Sequence, residues 1–280
     1  MRPASVSTAL FDGYPMALAI EEIARAGAEN VEPAFIQGYV AFDESAFEDR
    51  AARDLAASIA NAGLGVQAVS AHMDLSRPGA EERLRRRLGF AAGLGARFLV
   101  TNAGPAAARE AIERCIVAVL PACEAAGIVL ALENPGHGAG DLVPDRAAGA
   151  DLVARLRSPH LKLNYDAGNV FTYSRETVRP EDDLAGAGSE IGHVHLKDVA
   201  TSPEGWRFTA LGDGSIDWRA VWRHLPRDCP VGIELPLRLD RSGRRDPERR
   251  ADPLSLETLR EALRRSLAFL DALEADRSAT

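Results

Sequence analysis

The sequence predicts an α/β fold, a single (β/α)8 TIM barrel spanning residues 1–280. Three observations carry that expectation. Eight β-like runs alternate with eight longer helical runs along the 280 residues. An ordered βα repeat implies parallel strands, because each helix carries the chain back to the edge from which the next strand starts. The length suits closure, since a barrel of this kind needs about 250 residues. No G-x-G-x-x-G follows the first run, which disfavours an open dinucleotide-binding sheet. No Pro/Gly/Ser-rich linker divides the chain, so one domain is expected.

The elements follow in order. The first strand is read at 4–8 (ASVST), before a helical stretch at 15–27. NVEPAF at 30–35 is the second, followed by a helix at 44–62. GVQAVSAH at 65–72 is the third; the helix after it, 78–94, contains EERLRRRLGFAAGLG, with apolar residues at helical spacing and glycine at the end. RFLVTN at 97–102 precedes a helix at 105–126, and IVLALEN at 128–134 precedes one at 145–157. HLKLNYD at 160–166 leads to a helix at 176–188, IGHVHLKD at 191–198 to one at 216–225, and PVGIEL at 230–235 to the last, at 254–274. The segments AGAE, AGLG, GLGA and AGI repeat the glycine stop signal. The charged, proline-containing stretch 237–253 reads as a long loop that lies over the active face or reaches a neighbouring subunit.

Composition narrows the function. A hydrophobic content of 46% is enough for a sizeable core. The net charge of −8 and a pI near 5.4 argue against nucleic acid as a partner, because phosphate contacts need a basic footprint. Three cysteines without C-x-x-C spacing suit a reducing cytoplasm. The N-terminus lacks a charged stretch followed by an apolar one, and no apolar run approaches the ~18 residues of a membrane span. A cytoplasmic location without membrane attachment is therefore expected.

Glu133, Asp166, His195 and Glu234 each close an apolar run and open a loop. In parallel strands they meet at the C-terminal rim. Side chains alternate faces along a strand. Val129, Ala131 and Glu133 share one face, as do Asn164 and Asp166, His193, His195 and Lys197, and Gly232 and Glu234. The opposite faces carry Leu130, Leu132, Leu163, Val194, Leu196 and Ile233, suited to packing against outer helices. Parity thus aims all four candidates inward. Three carboxylates and an imidazole in one place repel unless a divalent cation joins them; oxygen-rich ligation suits Mn²⁺, Mg²⁺ or Co²⁺, with Zn²⁺ also compatible.

Other residues are candidates for substrate contact. His72 and Asn102 end the third and fourth strands, and His137 and Glu32 are loop-side possibilities. Lys197 and Lys162 are the only lysines in an arginine-rich chain. Lys197 suits a substrate oxygen, carboxylate or phosphate, or alternatively a salt bridge to Asp198 or Glu32. Trp206 and Phe208 suit either a sugar face or loop packing. Asp217 is placed to cap a helix starting at Trp218.

The segments ALENPGHG, NYDAGN, GHVHLKD, ALGDGSIDW and GIEL resemble the xylose isomerase-like TIM-barrel superfamily of sugar phosphate isomerases and epimerases, over nearly the whole chain from the second strand onward. The resemblance implies one divalent metal ion on Glu133, Asp166, His195 and Glu234. It implies that Glu133 and Glu234 face each other across a small sugar, keto-sugar or polyol derivative, where they isomerise or epimerise it by proton transfer through an enediolate. A lyase or dehydratase acting on a keto-inositol or 3-keto-glycoside is the alternative, and a non-catalytic sugar-binding barrel a third. A homo-oligomer is also compatible. Many members carry histidine three residues after the sixth-strand aspartate, whereas this chain has Asn169, kept here as a substrate-binding candidate. The DNA-repair endonuclease branch is disfavoured, because Asn102 and Asn169 stand where two of its extra histidines belong.

Overall fold

In the computed structural model, which describes residues 2–278, the wall of the fold is a parallel sheet. Its first strand is Ala4–Ser7; the second is Asn30–Glu32 continued by Ala34–Phe35; the third is Gly65–Val66 continued by Ala68–Ala71. The remaining strands are Phe98–Asn102, Val129–Glu133, Leu161–Asp166, Ile191–Leu196 and Val231–Ile233, the fourth to the eighth. The ring closes. Ala4 pairs with Val231 on one side of the first strand and Ser5 with Asn30 on the other, while Asn30 and Ala34 in turn pair with Gly65 and Ser70 of the third. Pro33 interrupts the second strand because it has no N–H to donate, although its carbonyl still accepts from Ser70 N at 3.0 Å.

Alternation sorts the side chains as parity predicts. Leu130, Leu132, Leu163, Tyr165, Val194, Leu196 and Ile233 join the buried core under the helices. Within the ring, Ala68, Phe98, Val100 and Ala131 form a small apolar plug. A polar interior of Ser5, Glu32, Ser70, Asn164, His193 and His195 accompanies it, all fully buried.

The outer helices are Met16–Arg25, Asp49–Asn61, Ala80–Gly93, Arg109–Ala126, Arg146–Leu156, Trp218–His224 and Leu256–Ser278. Asp217 caps the helix at Trp218, accepting from Ala220 N at 3.0 Å. The sixth unit departs from expectation. Instead of a helix over 176–188, a short helix Ala167–Tyr173 starts directly after the strand, capped by Asp166, and only Pro180–Asp183 is helical further on. Arg175 and Glu176 have φ of 54° and 69°, the left-handed region, which ends the first piece.

Stretch 237–253 is not a plain loop. Leu239–Ser242 and Glu248–Arg249 join Asp198–Ser202 and Gly205–Thr209 in a four-stranded antiparallel sheet. Trp206, Phe208, Val199, Leu239 and Phe171 form its apolar underside. Among the described residues no helix is long and apolar enough to cross a membrane.

Candidate active site

Neighbouring strands bring the four rim residues together. Asp166 pairs with His195 in register, and His195 with Gly232, two residues before Glu234. Glu234 lies one residue beyond its strand, yet its N–H still donates to Leu196 O at 3.1 Å, so the backbone holds it in line. One donor atom from each of Glu133, Asp166, His195 and Glu234 falls within 4.8 Å of the others, and all four are buried. The imidazole turns Nδ1 to the acids: it is 2.9 Å from Glu133 Oε2, 3.8 Å from Asp166 Oδ2 and 3.7 Å from Glu234 Oε2.

A family model described as xylose isomerase-like TIM barrel matches residues 20–272. The chain belongs to that family. Its fold is similar to the D-psicose 3-epimerase of Clostridium cellulolyticum H10 solved with D-tagatose, at TM-score 0.74 and 16% identity, covering 97% of this chain and 99% of that one. It is also similar to an L-ribulose 3-epimerase (0.71, 18%, covering 100% and 97%) and to the probable 3-DHS dehydratase AsbF of Bacillus anthracis (0.69, 14%, covering 97% and 99%). At these identities the likeness is one of fold. No curated protein matches the chain.

Around the four residues, this xylose isomerase-like barrel builds a shell of hydrogen bonds. Asn164 donates through Nδ2 to Glu133 Oε2, and its Oδ1 is 2.8 Å from His193 Nδ1. Asn169 Nδ2 donates to Glu133 Oε1 at 2.9 Å. Asn134 clamps the sixth strand, donating to Asp166 O and accepting from Asp166 N, both at 2.9 Å. Asn164 was legible as the inward neighbour of Asp166. Asn134 carried no such signal, since it follows Glu133 and takes the opposite parity.

Two candidates sit differently from expectation. Glu32 is not on a loop but in the barrel interior, with Oε1 2.7 Å from His195 Nε2. Lys197 pairs with neither Asp198 nor Glu32: its Nζ lies 2.7 Å from Asp166 Oδ2 and 2.5 Å from Glu234 Oε2, and donates to Asn169 Oδ1 at 3.0 Å. Asp198 instead accepts from the N–H groups of Gly212 and Gly214, anchoring the GDG turn.

The charges explain why a cation fits. Oδ2 of Asp166 and both carboxylate oxygens of Glu234 are buried and accept no hydrogen bond, with Lys197 facing them as an ion pair. Burial, aided by Glu133 and Glu234, outweighs Lys197 and pushes the Asp166 carboxyl up to about 7. Burial alone would also raise Glu133, but His195, His72 and Lys197 hold it down at about 2. Burial would lower His195; Glu32, Glu133 and Glu234 instead raise it well above the usual imidazole range. The cluster therefore gathers protons on the groups that could hold a cation. A buried donor set of three carboxylates and one imidazole suits a divalent metal ion.

Above the cluster opens a cavity of about 300 Å³. Glu133, Glu234, Lys197 and Asn169 lie at its floor, and His72, Asn102, His137, Tyr39, Asp74 and Asp141 contribute to its wall. His72 Nε2 is 3.6 Å from Glu133 Oε2 and has no hydrogen-bond partner; burial lowers its imidazole toward the neutral form. Trp206 and Phe208 do not line the cavity. They pack under the small sheet, and Trp206 Nε1 donates to Glu176 at 2.8 Å. Tyr39, which the sequence reading passed over, comes from the loop after the second strand, and burial raises its phenol to about 12.

Proposed function

We propose that this protein is a metal-dependent isomerase or epimerase of a small, uncharged keto-sugar or polyol derivative. One observation carries the reading: two buried glutamates, Glu133 and Glu234, flank one cavity floor on a donor set fit for a single divalent cation. Glu133, Asp166, His195 and Glu234 would hold the ion. When bound, a divalent ion polarises a carbonyl and stabilises negative charge on its oxygen.

The chain's own groups would do the rest. One glutamate removes the proton from the carbon beside the carbonyl and the other returns one, on the same carbon or its neighbour. Asn164 and Asn169 fix both Glu133 oxygens, and Lys197 holds Glu234, so neither carboxylate has to reorganise during transfer. His72, unpartnered at Nε2, is available to a substrate hydroxyl, and Asn102 and His137 are offered from the wall. Among the described residues lining the cavity there is no arginine; the one lysine is engaged by Asp166 and Glu234, and Asp74 is already paired with Arg77. Those facts support an uncharged substrate over a phosphorylated one.

A lyase is the second reading: the probable 3-DHS dehydratase shares the fold, and the glutamate that would return the proton to carbon can give it to a departing hydroxyl instead. The test is proton NMR in D2O with Mg²⁺-loaded protein and a panel of ketoses, aldoses, keto-inositols and 3-keto-glycosides. Loss of a C–H signal, abolished in Glu133→Gln and by chelation, is the expected result; a product heavier only by the deuterium it has taken up identifies isomerisation, and loss of water a lyase. Turnover undiminished in Glu133→Gln would refute the assignment of the glutamates. Binding of a sugar without exchange would point to a non-catalytic barrel.

A further inference from the structure

We propose that Glu32 is a positioning residue for the metal site: it holds the Nε2 proton of His195 and so leaves Nδ1 free as the ligand atom. The inference rests on reading Glu133, Asp166, His195 and Glu234 as that site. A neutral imidazole carries one N–H and one lone pair, and the partner of one nitrogen fixes the role of the other. Here Nε2 faces Glu32 Oε1 at 2.7 Å, while Nδ1 faces the three acids.

Glu32 is itself built in from both sides. Ser70 of the third strand donates to Oε1 at 2.7 Å, and Ser5 of the first donates to Oε2 at 3.2 Å. The other group facing it is His193, whose Nε2 is 3.8 Å from Oε2. On the eighth strand a Cβ at Gly232 would fall 2.6 Å from Glu32 Oε2 and 3.1 Å from His195 Cδ2, so glycine there leaves room for the pair. A carboxylate fully buried in a barrel centre costs much desolvation. Its return here is orientation: the strands opposite the metal ligands aim the ligand that comes from the seventh.

Calorimetric titration of Mn²⁺ into metal-stripped wild type, Glu32→Gln and Ser70→Ala tests this, with melting of the metal-free proteins as the fold control. Glu32→Gln, nearly isosteric, is expected to fold and to bind Mn²⁺ about 10–100-fold more weakly, the range seen for partners of metal ligands. Ser70→Ala should weaken binding in the same direction by less. In Zn²⁺-loaded, ¹⁵N-histidine-labelled wild type, His195 should carry its proton on Nε2. Wild-type affinity in Glu32→Gln, or a proton on Nδ1, overturns the inference while leaving the metal site standing. If Glu32→Gln does not fold, unchanged affinity in Ser70→Ala overturns it. No stoichiometric binding by wild type overturns the metal site, and this inference with it.

Discussion

At the scale of single residues the site turns on Lys197. A buried ammonium beside Asp166 and Glu234 separates two carboxylates that would otherwise repel. Replacing it by methionine keeps the stem and removes the charge. Lys197→Met should lower kcat/KM by about 100-fold, the scale of losing one preorganised charged contact, on whichever substrate the NMR panel identifies. Protons and the proposed metal would compete for the same atoms. With Asp166 raised to about 7 and His195 raised by the carboxylates around it, metal affinity should climb as pH increases from 5 to 8, because the ion would bind the deprotonated groups. Titrations in buffers of different ionisation enthalpy would register the protons released; pH-independent affinity would contradict this charge picture. Strand parity made Glu133, Asp166, His195 and Glu234 legible in the sequence. Glu32 was not legible as the partner of His195, because the two are 163 residues apart and stand on strands that are not neighbours.

At the scale of elements, the first and last helices are tied by one carboxylate. Glu22 accepts from Arg260 Nε and Nη2, both at 2.7 Å, and from Arg25. Arg260 does most to lower the Glu22 carboxyl from 4.5 to about 2, against burial and with help from Arg25. The sign is that of a depressed carboxyl. The tie contributes fully above pH 4.5 and fades as pH falls through about 2. Glu22→Gln should therefore melt below wild type at pH 7, with the gap shrinking as pH is lowered toward 2; a constant gap in the melting curves would show that packing, not charge, joins the helices. Two elements were not legible. The four-stranded sheet pairs segments from two different rim loops, so its pattern is long-range rather than local. The helix expected over 176–188 fails at two left-handed residues that periodicity does not report.

At the scale of the whole molecule, βα alternation made the closed barrel legible before any side chain was placed, since each unit obeys the same handed return. The barrel divides its labour. Strands five to eight carry the proposed ligands, and strands one to three carry Ser5, Glu32 and Ser70, which brace His195 from across the ring. Metal should therefore stabilise the entire domain. At metal 100-fold above Kd the gain is about 2.7 kcal/mol, a rise in Tm of about 4–5 °C for a domain of this size. Scanning calorimetry with Mn²⁺ and then excess chelator checks it, and a Tm indifferent to both would remove the ion from the fold's energetics.

The interrupted strands have one more consequence. Between the second and third strands the ladder is split at Pro33 and Gln67, whereas the fourth and fifth pair without a break from Phe98–Val129 to Asn102–Glu133. The ring thus has a seam, and Glu32 lies directly beside it. Amide hydrogens at Val31, Val66 and Ser70 should trade for deuterium sooner than those at Leu130 and Leu132, so the barrel would unzip from the side that steadies His195 while the four proposed ligands were still held together.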